Sequence, residues 1–141
     1  MTAAVALLRG INVGGHRKVP MAHLRTVVEG LGHEQVATHL NSGNVVFVTS
    51  GRVAPDALAA DVERGLRAEL GFAVDVVVRT RTDIDRVVAA NPFVEAADED
   101  PARVLVMFYP GAVAPDPHFD VSAYGNELIT WWGCEAYLHY P

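Results

Sequence analysis

The sequence predicts an α+β protein, and three observations support this fold class. Short apolar or alternating runs, which are typical of strands, are interleaved with stretches whose apolar residues recur at helical spacing. Prolines stand where helices begin and glycines where they end. Half of the 141 residues are hydrophobic and 20% are charged, so the chain can form a core and is not expected to be disordered.

The first part of the chain contains four predicted strands and two predicted helices. The strands are expected at residues 3–9, 35–40, 45–49 and 72–78. The helices are expected at residues 20–31 and 55–70, each beginning with a proline and followed by a glycine. Asn41 to Asn44 form a turn, so the second and third strands make a hairpin. The order β-α-β-β-α-β is that of a ferredoxin-like unit.

The second part is predicted to be a partial α+β unit packed on the first. Thr82 caps a short helix that ends before Asn91-Pro92, and an acidic connector follows at residues 94–101. The remaining segments are a strand at 104–109, a loop at 111–120, and a hairpin of strands 128–132 and 135–140. We therefore expect two units, residues 1–93 and 94–141.

Composition excludes several classes of protein. The single cysteine, Cys134, rules out an intrachain disulfide or a cysteine cluster for a metal, and it suits a reducing cytoplasm. The N-terminus does not resemble a signal peptide, and no apolar run approaches the ~20 residues of a membrane helix. The histidines show no metal-binding spacing, so neither a metal site nor a cofactor is predicted. The expected location is the cytoplasm, without a membrane partner.

Charge is unevenly distributed along the chain. The formal net charge of -6 argues against nucleic acid as a partner. Residues 1–28 nevertheless contain four basic side chains and no acidic one, whereas residues 95–141 contain eight acids and only Arg103 as a base. The basic part is expected to meet an anion, although a solvated surface would explain the same distribution.

The stretch from Arg9 to Lys18, which we call the glycine loop, is the main candidate for function. In a sheet of order 4-1-3-2, the loop after strand one and the hairpin after strand two share one end. The predicted ligand-binding residues are Arg9, Gly10, Asn12, Gly14, Gly15, Lys18, Asn41, Ser42, Gly43 and Asn44. Cationic side chains would supply charge, glycines would present backbone N–H groups, and asparagines would orient the ligand. Ordinary tight turns would also explain these residues.

Other functions receive less support from the sequence. His16 and Arg17 occupy the Lys and Ser/Thr positions of a phosphate-binding P-loop, which excludes an NTPase. An enzyme of unassigned chemistry at the same edge would need His16 as its base. A protein-interaction or structural domain would dimerise through the final hairpin, where one indole of Trp131-Trp132 points outward.

Several stretches together resemble one known family, the domain of unknown function 1697 family. They are residues 6–15, 18–21, 41–47, 91–93 and 137–141, together with Leu24. The resemblance implies a bacterial, cytoplasmic α+β protein built from ferredoxin-like parts, without an established activity. Relatives usually continue past the Tyr140-Pro141 position with a further helix. The expected consequence is an incomplete site or an exposed final hairpin that is prone to dimerise.

Overall fold

The computed structural model describes residues 1–15, 17–39, 43–50, 54–112 and 125–141. The chain divides into two compact units, Met1–Ile84 and Asp85–Pro141. The elements of the first unit are β1 (Thr2–Leu8), α1 (Met21–Gly30), β2 (Glu34–His39), β3 (Asn44–Thr49), α2 (Pro55–Leu70) and β4 (Val76–Thr80). The predicted order β-α-β-β-α-β is therefore confirmed.

The four strands of the first unit form one antiparallel sheet of order β2-β3-β1-β4. Alternate residues of β1, namely Ala4, Ala6 and Leu8, belong to the hydrophobic core. The buried residues of the two helices complete that core: Leu24, Val28, Leu58, Val62 and Leu66. A Cβ on Gly65 would lie 2.8 Å from Cγ1 of Val27, so this glycine allows the close approach of α1 and α2.

Strand β4 begins four residues later than the predicted start at Phe72. The pairing of β4 with β1 begins at Leu8↔Val76, where β1 itself ends, so earlier residues have no strand opposite them. Val74 is nonetheless buried in the core, and Phe72 packs against it. The alternating apolar pattern of Phe72 and Val74 therefore predicted correctly that these residues pack in the core, but it predicted wrongly that they belong to a strand.

The second unit contains a three-stranded antiparallel sheet of order β5-β7-β6. Its elements follow α3 (Arg81–Ala89), which begins in the first unit, and are α4 (Val94–Glu99), a 3₁₀ turn (Pro101–Arg103), β5 (Val104–Phe108), β6 (Leu128–Trp132) and β7 (Glu135–His139). The predicted final hairpin is confirmed, whereas most of the predicted loop at 111–120 lies outside the described residues. None of the helices in the described ranges is long and apolar enough to cross a bilayer.

Two local predictions were wrong. The expected acidic connector contains α4, closed by hydrogen bonds from the Ala97 N–H to the Phe93 carbonyl and from the Asp100 N–H to the Ala96 carbonyl, both 2.9 Å. The cap of α3 is not Thr82 but Thr80. The Asp83 N–H donates to the Thr80 hydroxyl at 3.2 Å, and the Thr80 N–H donates to the Asp83 carboxylate at 2.9 Å, which makes a reciprocal capping box.

The boundary between the compact units falls at 84/85, whereas the sequence predicted it at 93/94. Residues 85–93 belong with the second sheet because two of them, Val87 and Phe93, contact residues of β7. The buried Tyr137 hydroxyl donates to the Val87 carbonyl at 2.7 Å, and the rings of Phe93 and His139 lie 5.6 Å apart.

We expect the substitution Tyr137→Phe to lower the free energy of unfolding by about 1–2 kcal/mol near neutral pH. It removes the hydroxyl that donates to the Val87 carbonyl in a buried position. Chemical denaturation measures the loss. Tyr140→Phe is the matched control, because its hydroxyl donates to the Ala102 carbonyl at an exposed site and should contribute much less.

The same variant has a pH signature. Burial, reinforced by the Glu135 carboxylate, raises the pKa of Tyr137 above its ordinary value of 10.0, although Arg86 opposes the shift. The folded protein therefore holds this proton more tightly than the unfolded chain, and the resulting stability is lost as pH rises through the folded pKa. The stability difference between the parent and Tyr137→Phe should narrow above pH 10. A difference that stays constant with pH would contradict this account.

Candidate functional site

The glycine loop starts where three segments of the first unit meet. The Leu8 N–H donates to the Gly43 carbonyl at 3.1 Å, and the Arg9 N–H donates to the Asp75 carbonyl at 3.0 Å. The start of the loop is therefore flanked by Gly43, directly before β3, on one side and by Asp75, directly before β4, on the other. Strand order explains this arrangement, since β1 and β2 end at the same edge of the sheet and β4 begins there.

Asn12 closes the glycine loop on itself. Its side-chain oxygen accepts the Val19 N–H at 2.8 Å, and its side-chain amide donates to the Val19 carbonyl at 3.1 Å. Its backbone N–H donates to the Arg17 carbonyl at 3.2 Å. Val19 is buried, so these bonds fasten the loop to the core. The side chain of Asn12 thus fixes the loop, and its predicted role of orienting a ligand stays a prediction.

The backbone of the glycine loop is left-handed at many of its described positions. Positive φ angles occur at Gly10, Asn12, Gly14, Gly15 and Arg17, between +51° and +77°. Glycine adopts this conformation without steric cost, and asparagine tolerates it better than most residues. Left-handed residues that alternate with right-handed ones turn successive N–H groups toward one side, as in an anion-binding nest, and here Gly10, Asn12 and Gly14 alternate with Ile11 and Val13, whose φ angles are not positive.

Arg17 and Lys18 have different surroundings although they are neighbours in sequence. The Arg17 guanidinium donates to the Ala73 carbonyl and lies 5.7 Å from the centre of the Phe72 ring, so it holds the loop against the approach to β4. Lys18 is exposed and has no hydrogen bond or ion pair with any residue in the described ranges. Lys18 is therefore the cation of this pair that is available to a ligand.

An open pocket of about 360 Å³ lies beside Lys18. It is lined by Asn12, Gly15, Lys18, Val19 and Pro20. Pro20 is also the N-cap residue of α1, where no side chain caps the helix and no acidic residue occupies the first turn. Unsatisfied N–H groups and the positive end of the helix dipole therefore lie next to the pocket.

The other predicted site residues divide into exposed and packed positions. Arg9, Gly10 and Gly14 are exposed on the loop, and Asn44 is half-buried in β3 opposite Leu7. Gly43 is buried, and a Cβ there would lie 2.7 Å from Cδ1 of Ile11, so packing alone requires a glycine. Asn41, Ser42 and His16, the candidate base of an enzyme, lie outside the described residues.

Two features of the site were missed at the level of sequence. The contacts of Arg17 with Phe72 and Ala73 join residues far apart in the chain, and no local pattern indicates them. The uncapped start of α1 could have been predicted from the sequence, since Pro20 cannot cap with its side chain and Met21-Ala22-His23 contains no acid.

A second pocket, of about 270 Å³ between α2 and the residues that precede β4, is lined by charged side chains of both signs.

The chain matches a family model over nearly its whole length. The family is described as "Protein of unknown function (DUF1697)", and the match covers residues 1–137. The chain belongs to this family. The matched residues of this DUF1697 member include the whole glycine loop, the β2–β3 hairpin and the final hairpin up to Tyr137, so the predicted resemblance to this family is confirmed.

A solved structure is similar to this DUF1697 chain. It is the conserved bacterial protein SP0830 from Streptococcus pneumoniae, with 26% sequence identity and a TM-score of 0.72. The similarity covers 98% of this chain and 76% of the other, and it supports the α+β fold. Among curated proteins none matches. These comparisons name no ligand or reaction, so a function must rest on the geometry of the glycine loop.

We expect Asn12→Ala to lower the free energy of unfolding by about 2 kcal/mol, because it removes both bonds to Val19 and leaves that buried backbone without partners. Asn12→Gly removes the same bonds but relaxes the backbone, whose φ is +54°. The free energy of unfolding of the glycine variant should therefore exceed that of the alanine variant by roughly 1 kcal/mol. Denaturation of both variants measures the difference. Equal stability of Asn12→Ala and the parent would contradict the role assigned to Asn12.

Gly43→Ala should destabilise the protein by about 3 kcal/mol, combining the cost of a positive φ with a clash against Ile11. Gly71→Ala is a matched control, since Gly71 has the same φ of +81° and open space where its Cβ would lie. The control should lose only about 1 kcal/mol. If thermal and chemical denaturation gave the two variants equal losses, the close packing between the β2–β3 turn and the glycine loop would be refuted.

Proposed function

We propose that this protein binds a small anionic or nucleotide-like ligand at the glycine loop. The observation that carries the proposal is the pocket beside Lys18, where backbone N–H groups, a cation without a described partner and the uncapped start of α1 adjoin. Each of these groups attracts negative charge, and backbone N–H groups add directional hydrogen bonds. Gly15 and Lys18 are the residues that we place in contact with the ligand.

The size and surroundings of the pocket favour a small ligand. A volume of about 360 Å³ lies at the lower end of the range of small-molecule sites, which is roughly 300–1,000 Å³. The absence of acidic residues from residues 1–28 leaves no carboxylate of that segment to repel an anion. A phosphate or carboxylate group would occupy the mouth of the pocket, with the remainder of the ligand extending outward.

The cellular setting forms part of the same proposal. The solved relative is a bacterial protein, and a single cysteine suits a reducing compartment. We therefore assign the protein to a bacterial cytoplasm, where phosphorylated metabolites are abundant candidate ligands.

The test is a thermal-shift screen followed by calorimetry. Inorganic phosphate, sulfate, sugar phosphates and nucleotides are compared with uncharged nucleosides and sugars. A ligand that binds the native state raises the melting temperature in a saturable way. Lys18→Ala should weaken binding about tenfold or more, because a hydrogen bond to a charged group contributes roughly 1.5–3 kcal/mol.

Arg81→Ala is the control for the loss of one positive charge. Arg81 is exposed and follows the far end of β4, at the opposite edge of the sheet from the glycine loop. It should leave affinity unchanged within a factor of about two. The proposal is wrong if no anion shifts the melting temperature, or if Lys18→Ala and Arg81→Ala weaken binding equally.

A further inference from the structure

Strand β6 is an edge strand that carries no protection against pairing. Among the described strands, its only neighbour is β7. Its sequence, Leu-Ile-Thr-Trp-Trp, contains no charge, no proline and no glycine. Natural edge strands are usually blunted by such residues or by bulges. Strand β2, one of the two edges of the first sheet, shows such features: it begins with Glu34, has an irregular register between Glu34 and Ala37, and includes Gln35 at φ +52°.

The hydrogen-bond register determines which backbone groups of β6 point outward. The Tyr109 N–H donates to the Cys134 carbonyl at 2.9 Å, so the even-numbered residues of β7 face β5. The odd-numbered residues of β7 therefore face β6, where their partners are Leu128, Thr130 and Trp132. The N–H and C=O groups of Ile129 and Trp131 consequently point away from β7, toward the side of β6 on which no described strand lies.

The side chains of β6 also leave apolar surface exposed. Leu128 is 53% exposed and Trp132 is 41% exposed, and both lie on the same face of the strand as Thr130. Large exposed apolar side chains at the two ends of a strand edge that faces no described strand are typical of an interaction site.

We propose that β6 pairs antiparallel with β6 of a second copy of this chain, with Thr130 on the two-fold axis. In this register Ile129 and Trp131 form hydrogen-bonded pairs with Trp131 and Ile129 of the second copy. Leu128 of each chain lies opposite Trp132 of the other, so each exposed apolar side chain covers its counterpart. Aromatic–aliphatic and Thr–Thr pairs across strands are stabilising. The two three-stranded sheets become one continuous sheet of six strands.

The partner is a second copy because β6 is complementary to itself. When β6 pairs with a second β6, the two-fold register about Thr130 places an aliphatic residue opposite a tryptophan at both ends and joins the outward N–H and C=O groups of Ile129 and Trp131. Such an isologous contact is closed, so it produces a dimer and not a filament. The net charge of -6 opposes association in general, but β6 itself contributes no charge to the contact.

The primary test is an engineered crosslink in the full chain. In a Cys134→Ser background, Thr130→Cys should form an interchain disulfide under mild oxidation, because residues on the axis of a non-hydrogen-bonded pair have Cα atoms about 4.5 Å apart. Ala37→Cys, an exposed position on the protected edge β2, is the matched control. Val106→Cys tests the other edge of the second sheet, strand β5.

Sedimentation and tryptophan emission provide an independent readout without a new cysteine. Both tryptophans of the chain are on β6, so dilution of the dimer should shift emission to longer wavelength as the edge becomes solvated. Trp132→Lys should raise the dissociation constant at least about tenfold. The proposal is overturned by a monomeric mass at every concentration, by equal crosslinking at positions 37 or 106, or by a dimer that Trp132→Lys leaves unchanged.

Discussion

The glycine loop depends on the double hydrogen bond between the side chain of Asn12 and the backbone of Val19. This contact imitates the pairing of two backbone segments, and it uses a side chain where a continuing strand would have used its own N–H and C=O groups. Val19 is buried beneath it, so the contact links a solvent-exposed loop to the hydrophobic core. The described residues between Asn12 and Val19 are constrained at both ends. This constraint allows Gly14, Gly15 and Arg17 to keep left-handed conformations that an unconstrained chain would populate rarely.

The different roles of Arg17 and Lys18 follow from this constraint. Asn12 fixes the path of the loop so that Arg17 contacts the Ala73 carbonyl and the Phe72 ring. The Arg17 guanidinium therefore holds the loop against the residues that precede β4. Lys18, the next residue, is exposed and lines the pocket. A pair of adjacent basic residues therefore has one structural member and one member that can meet a ligand, and only the folded geometry distinguishes them.

Much of the fold could be predicted because its signals are local. Prolines and glycines delimit α1 and α2, and the final hairpin follows from its turn. The errors arose where a pattern has two physical causes. Phe72 and Val74 alternate because they are buried, although no strand lies opposite them. The segment Val94–Glu99 is too short to show periodicity, and its carboxylates resembled those of a solvated connector. At the site, the sequence did not reveal that Asn12 closes the loop by hydrogen bonds or that Gly43 packs against Ile11, while their contacts with a ligand stay predictions.

An anion-binding role must be reconciled with a net charge of -6. At physiological ionic strength, charges more than about 8 Å away are largely screened, so the net charge of the whole chain does not determine the charge next to the pocket. The pocket in which we propose that an anion binds is lined by Lys18, by the N-cap residue of α1 and by residues of the glycine loop. Backbone dipoles are important here because they attract an anion without adding a formal charge and are held in place by the Asn12–Val19 bonds. Recognition at the glycine loop would thus depend on short-range geometry, and the overall charge of the protein would mainly affect how fast an anion approaches.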